Sequence, residues 1–264
     1  MRNLFPHSPL PDRQQGVSII SLLISLLISL LIGLLVSIFA IHAYLDSKSA
    51  AHFHLALSVA NENARFASSD LRRFLVMTGR NVGKGDDVFI STGADDGSPY
   101  IIDGTATSSS RVTVAYRSGY TCSGSPVDNS TARLRLDVQT SVNNQSELYC
   151  TTLDTDGSGT RQSLAEGIEH LEFIYGVDTD SDGYANSYTT AAAVTAANKW
   201  NSVVTIRAEI LASSGSVRPG ISSMPQQPTY YQVGANTVTP ADRNKFYRRA
   251  GTTIALRNLN AIAK

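Results

Sequence analysis

Three aspartates at alternating positions form the sharpest candidate for chemistry in this chain. They lie in Asp178-Thr-Asp180-Ser-Asp182-Gly183-Tyr184-Ala-Asn186. Side-chain oxygens at Asp178, Asp180, Asp182 and Asn186, a backbone carbonyl at Tyr184 and a glycine in sixth place match the first half of a calcium loop. The match stops at the twelfth place, where Thr189 stands instead of a bidentate glutamate. Carboxylates this close repel one another unless a cation or solvent lies between them. Two readings follow, a calcium site and a solvated acidic turn between two strands. Asp154-Thr-Asp156-Gly-Ser158 is a shorter echo and reads as a turn.

Other reactive residue types are scattered. The five histidines are His7, His42, His52, His54 and His170, and there is no G-x-S-x-G, P-loop or H-E-x-x-H sequence around which to build an enzyme. No catalytic residue is therefore expected. The run Arg243-Asn-Lys245-Phe246-Tyr247-Arg248-Arg249 interleaves basic and aromatic residues, as some nucleic-acid binders do. The run is short, however, and Lys plus Arg total 22 against 22 for Asp plus Glu. Zero net charge argues against nucleic acid as a partner, so a strand with solvated charges is expected there. Cys122 and Cys150 are the only cysteines and form no C-x-x-C pair. Outside the cytoplasm such a pair is expected to bridge, stabilising the fold by roughly 3–4 kcal/mol in the chain-entropy model. The alternative is two unrelated buried thiols.

The elements that must carry these residues begin with one apolar block. Val17 to Leu45 contains no Asp, Glu, Lys or Arg, enough chain to cross the ~20-residue hydrocarbon core as a helix. Arg2 and Arg13 precede it, while Asp46 and Lys48 cancel after it, which places the N-terminus in the cytoplasm. Within the block Ser21, Ser25, Ser29, Gly33 and Ser37 recur every four residues, a stripe of small side chains that lets helices approach in lipid. Beyond it Phe53, Leu57, Ala60, Ala64, Ala67, Leu71 and Phe74 step by four and three, one apolar face of a helix. With no proline between Val17 and Thr78 and a glycine at 79, the pattern predicts a single helix of up to ~62 residues.

After Gly79 the period changes to two. Val112/Val114/Tyr116, Leu134/Leu136/Val138, Val204/Ile206/Ala208/Ile210 and Ile254/Leu256 each alternate with polar or small residues. These are half-buried strands, separated by turn-rich stretches at 93–99 and 215–228. A sheet with one apolar face can cover the amphipathic half of the helix. The expected fold is α+β, a very long N-terminal helix packed on an antiparallel β-rich head.

Several segments resemble known proteins. Arg13-Gln-Gln-Gly16-Val17-Ser18-Ile19-Ile20-Ser21-Leu22 is similar to a type IV prepilin leader junction. Leu164-Ala-Glu-Gly-Ile168-Glu-His-Leu171-Glu-Phe173-Ile-Tyr175 running on to Gly183, Trp200-Asn-Ser-Val-Val204-Thr-Ile-Arg207, and Thr252-Thr-Ile-Ala-Leu-Arg257-Asn258 resemble the PilW group of minor pilins. Asn61-Glu62-Asn63-Ala64-Arg65-Phe66-Ala67 and Asp70-Leu71-Arg72 fit that group too.

The resemblance implies cleavage after Gly16 by prepilin peptidase and methylation of the new N-terminus at Val17. It divides the chain into a leader (1–16), a transmembrane half-helix (17–45), an amphipathic half-helix (46–78) and an extracytoplasmic head (79–264). Its implied partners are other minor and major pilins and the inner-membrane assembly platform. Its implied location is the inner membrane, head in the periplasm, and then the pilus. Assembly would run through Ser21, Ser25, Ser29 and Gly33. In most pilins the fifth mature residue is glutamate, and here it is Ser21. The implied role is initiating, capping or priming a type IV pilus. The alternatives are a minor pseudopilin of type II secretion and, more distantly, an anchored extracytoplasmic binding protein or enzyme.

Overall fold

The computed structural model describes residues 18–83, 86–91, 94–95, 98–153, 159–215 and 227–259. Gly16, Val17 and the Asp154 echo lie outside the described residues. In chain order the elements are α1 (Ile19–Leu75), β1 (Ala94–Asp95), β2 (Ser98–Pro99), β3 (Val112–Tyr120), β4 (Pro126–Thr140), β5 (Ser146–Leu153), β6 (Gly159–Glu166) and β7 (Ile168–Val177). There follow β8 (Ser187–Thr189), α2 (Ala191–Ala196), a 3-10 turn (Trp200–Ser202), β9 (Val203–Ser213), β10 (Tyr231–Val233), β11 (Asn236–Val238) and β12 (Tyr247–Ala255).

One long helix and antiparallel sheets confirm the α+β expectation. The chain divides into two units, the first ending at Ala51 and the second starting at His52. In the first, helix residues 19–48 are solvent-exposed on every side. α1 is long and apolar enough to cross a membrane. In the second unit the helix buries Ala56, Ala60, Ala64, Ala67, Leu71, Phe74 and Leu75. From Ala60 to Phe74 that is the stripe read from the sequence; Phe53 and Leu57 at its start are half-buried, and Ala56 and Leu75 join it. α1 ends at Leu75, short of the expected Thr78. At the C-terminus Met77 and Thr78 donate to the carbonyls of Phe74 and Leu75, which tightens the last turn. Gly79 then takes φ +74°, a conformation that stops a helix.

Two four-stranded antiparallel sheets face this core, in the orders β3-β4-β5-β6 and β12-β9-β7-β8. Leu134, Leu136, Leu148, Leu171, Phe173, Tyr175, Ile206 and Ile254 join Leu71 and Phe74 in one cluster. Four strands follow the period-two readings at 112, 134, 204 and 254. Patterning alone does not mark β5, β6, β7 and β8 as strands. β6 is an edge strand exposed along most of its length, so it has no apolar face to signal it. β7 fails for the opposite reason. Its outward-facing His170 and Glu172 are buried, Glu172 against Asn236 of the β10–β11 hairpin and the loop at Gly104, so polar residues stand where a solvated face would be.

Candidate functional site

The stripe in the first unit can be described from Ser21 onward. Ser21 sits in the first turn, its amide donating to the carbonyl of Ser18 at 2.9 Å. Ser25 Oγ donates to Leu22 O (2.9 Å), Ser29 Oγ to Ser25 O (2.7 Å) and Ser37 Oγ to Gly33 O (2.9 Å). These hydroxyls are spent on their own helix, which lowers the cost of placing them in an apolar medium. A Cβ added at Gly33 would meet nothing within 4 Å, so that position is open for a neighbouring backbone. What remains is a narrow strip between bulky leucines and isoleucines, its hydroxyls satisfied at Ser25, Ser29 and Ser37. It carries no group suited to acid–base or nucleophilic work; it is suited to close helix packing.

In the second unit the structure brings the three aspartates together, one oxygen from each lying within 4.8 Å of the others. They follow β7 directly, and the bond from Asp178 N to Ser202 O (2.8 Å) ties the loop to the turn before β9. Asp178 organises it. Its Oδ1 accepts from Asp180 N (3.2 Å) and Ser181 N (2.7 Å), and its Oδ2 from Gly183 N (2.8 Å). Desolvation works to raise its pKa, but the amides of Gly183, Ser181 and Asp180 together outweigh it and hold the carboxyl below its usual 3.8. Asp182 Oδ1 accepts from Tyr184 N at 2.8 Å. Asn186 turns its oxygen to Thr179 N (2.7 Å) and its Nδ2 to Asp180 Oδ2 (3.1 Å). The loop is held by its own amides and carries the three carboxylates side by side.

Cys122 and Cys150 are joined in a disulfide, with Cα atoms 5.6 Å apart. Cys150 is buried in the middle of β5, opposite Leu136 on β4. Cys122 belongs to the turn between β3 and β4, where its amide donates to Thr152 Oγ1 at 3.0 Å. The bridge therefore ties that turn to β5, the strand beside β4. The basic run is the approach to β12. Lys245 Nζ pairs with Glu169 Oε1 at 2.8 Å, Phe246 is buried and Arg248 and Arg249 are exposed.

Sequence reading missed a polar cluster behind β7. Glu172 Oε2 accepts from Asn236 Nδ2 at 3.1 Å, the same nitrogen reaches Gly104 O at 3.1 Å, and His170 Nε2 lies 3.8 Å from Glu172. The residues are far apart in the chain, so no spacing announces them. Their contacts pin the loop at Gly104 and the β10–β11 hairpin to the sheet.

Residues 136–258 match the family model described as Type IV Pilus-assembly protein W, PilW. That stretch runs from the second half of β4 past the end of β12. A type IV-like pilin from Thermus thermophilus superposes with 12% identity and a TM-score of 0.46, covering 76% of this chain and 97% of its own. At that similarity the superposition carries no argument. No curated protein matches.

Proposed function

We propose that this chain, a type IV pilus-related protein that is PilW-like over residues 136–258, is a minor pilin that initiates or caps the filament. The family match carries the reading, because it covers the strands that build most of the head. The apolar helix supports it as the means of insertion into the membrane and then into the bundle of neighbouring pilin helices. The work is non-covalent assembly, and the partners are other pilins, the prepilin peptidase and the inner-membrane platform.

Ser21 supports the finer role. A carboxylate inside lipid is costly unless paired, so a glutamate at this place favours docking beneath a partner already present. Serine has no charge to neutralise, and a subunit without that carboxylate has less need of a pilin above it. Labelled protein is expected at filament ends. Regular labelling along the shaft, or equal restoration of piliation by wild type and Ser21→Glu, would contradict the tip role.

A further inference from the structure

Among the described residues β12 is the edge of its sheet, paired with β9 on one side. Ser214 N donates to Phe246 O and Leu256 N to Val204 O. In an antiparallel ladder this makes the even-numbered residues of β12 the ones that exchange bonds with β9. The N–H and C=O groups of Arg249, Gly251 and Thr253 then point away from the sheet. Among the described residues none of them has a backbone partner.

This open edge is basic. Arg248 and Arg249 are exposed on its two faces, Arg257 is exposed just beyond its end, and Arg72 of α1 reaches Thr252 Oγ1 at 3.2 Å. The carboxylate beneath Gly251, that of Glu209, is buried and already paired with Arg207 at 2.8 Å. Charges on an edge strand commonly serve only to repel other strands. Here the edge also opens onto a groove of about 560 Å³ lined by Phe53, Leu57, Tyr231 and Phe246. A guarded edge has no use for a pocket, whereas a strand added to the edge would deliver a side chain into it.

We propose that the β12 edge docks an extended acidic segment of a partner protein. The segment adds as a strand along Arg249–Thr253, places carboxylates beside Arg248 and Arg249, and lodges one apolar side chain in the groove. This is independent of the pilus reading, since the edge binds or fails to bind such a segment whether or not the chain enters a filament.

The test uses the full chain in detergent micelles and a fluorescent, end-capped peptide of alternating glutamate and valine ending in phenylalanine. Anisotropy should show binding that weakens with salt, and hydrogen exchange should show the amides of Arg249, Gly251 and Thr253 protected by the peptide. Thr253→Pro removes an outward N–H without touching the β9 ladder, so it should abolish binding and leave the melting temperature close to wild type. Reversing Arg248 and Arg249 to glutamate should weaken binding by about tenfold or more, since tenfold corresponds to only ~1.4 kcal/mol. Equal binding of a lysine–valine peptide would overturn the proposal. So would arginine reversal that leaves peptide affinity unchanged, which would mark the arginines as guards. Concentration-dependent protection of the same amides without peptide would overturn it in favour of a second copy of this chain.

Discussion

Asp178 shows how one side chain can decide the character of a loop. Its two oxygens hold three backbone amides, and its pKa lies below 3.8 because those bonds favour the charged form. A carboxyl depressed in the folded state contributes stability that is complete above the unfolded pKa and is lost as pH falls through the lower folded value. Asp178→Asn should therefore lower the melting temperature at pH 7 and flatten the fall as pH drops below the usual aspartate range, seen in melts across acid pH. Asp182→Ala, which loses one amide bond, should cost less than Asp178→Ala. If the loop is only a self-closed turn, millimolar calcium should leave the melting temperature unchanged. A rise that Asp180→Ala removes would establish the cation site instead. The aspartates, though not the loop's closure, were legible in the sequence, because spacing reports which oxygens are near and not which amides they already hold.

At the scale of elements, the second half of α1 and the disulfide are the clearest cases. The stripe Ala60, Ala64, Ala67, Leu71, Phe74 was readable because burial on a helix follows its period. Leu71 is fully buried, so Leu71→Ala should destabilise the protein by about 2–5 kcal/mol in denaturant titration. Ala67 is just as buried, and Ala67→Leu should cost about 1–3 kcal/mol by overpacking. Cys122 tethers a turn and Cys150 fills a core position. Intact mass should show the oxidised pair, and Cys122→Ser with Cys150→Ser should lose roughly 3–4 kcal/mol. What patterning could not show was β7. His170 and Glu172 are polar yet buried, Glu172 against the loop at Gly104 and the β10–β11 hairpin, contributed from distant sequence. Alternation reports the contrast between core and water, and a strand covered on both faces has none.

At the scale of the whole molecule, the account rests on a division of labour between an exposed apolar helix segment and a head built mostly from PilW-like strands. Among the described residues the helix is exposed from 19 to 48, and Ser25, Ser29 and Ser37 have turned inward to carbonyls of their own helix. Such a surface is stable in lipid or against other helices, which is the demand that membrane insertion and filament assembly both make. Under this account, Gly33→Leu should reduce recovery of the subunit in sheared filaments while leaving membrane-fraction levels unchanged. The central claim is that the chain is made as a prepilin and matured for assembly. N-terminal sequencing and mass analysis of the protein from cells test it directly. The account predicts a chain starting at N-methylated Val17, after cleavage behind Gly16. A protein that keeps its first 16 residues, or one cut on the far side of the apolar block, would contradict it.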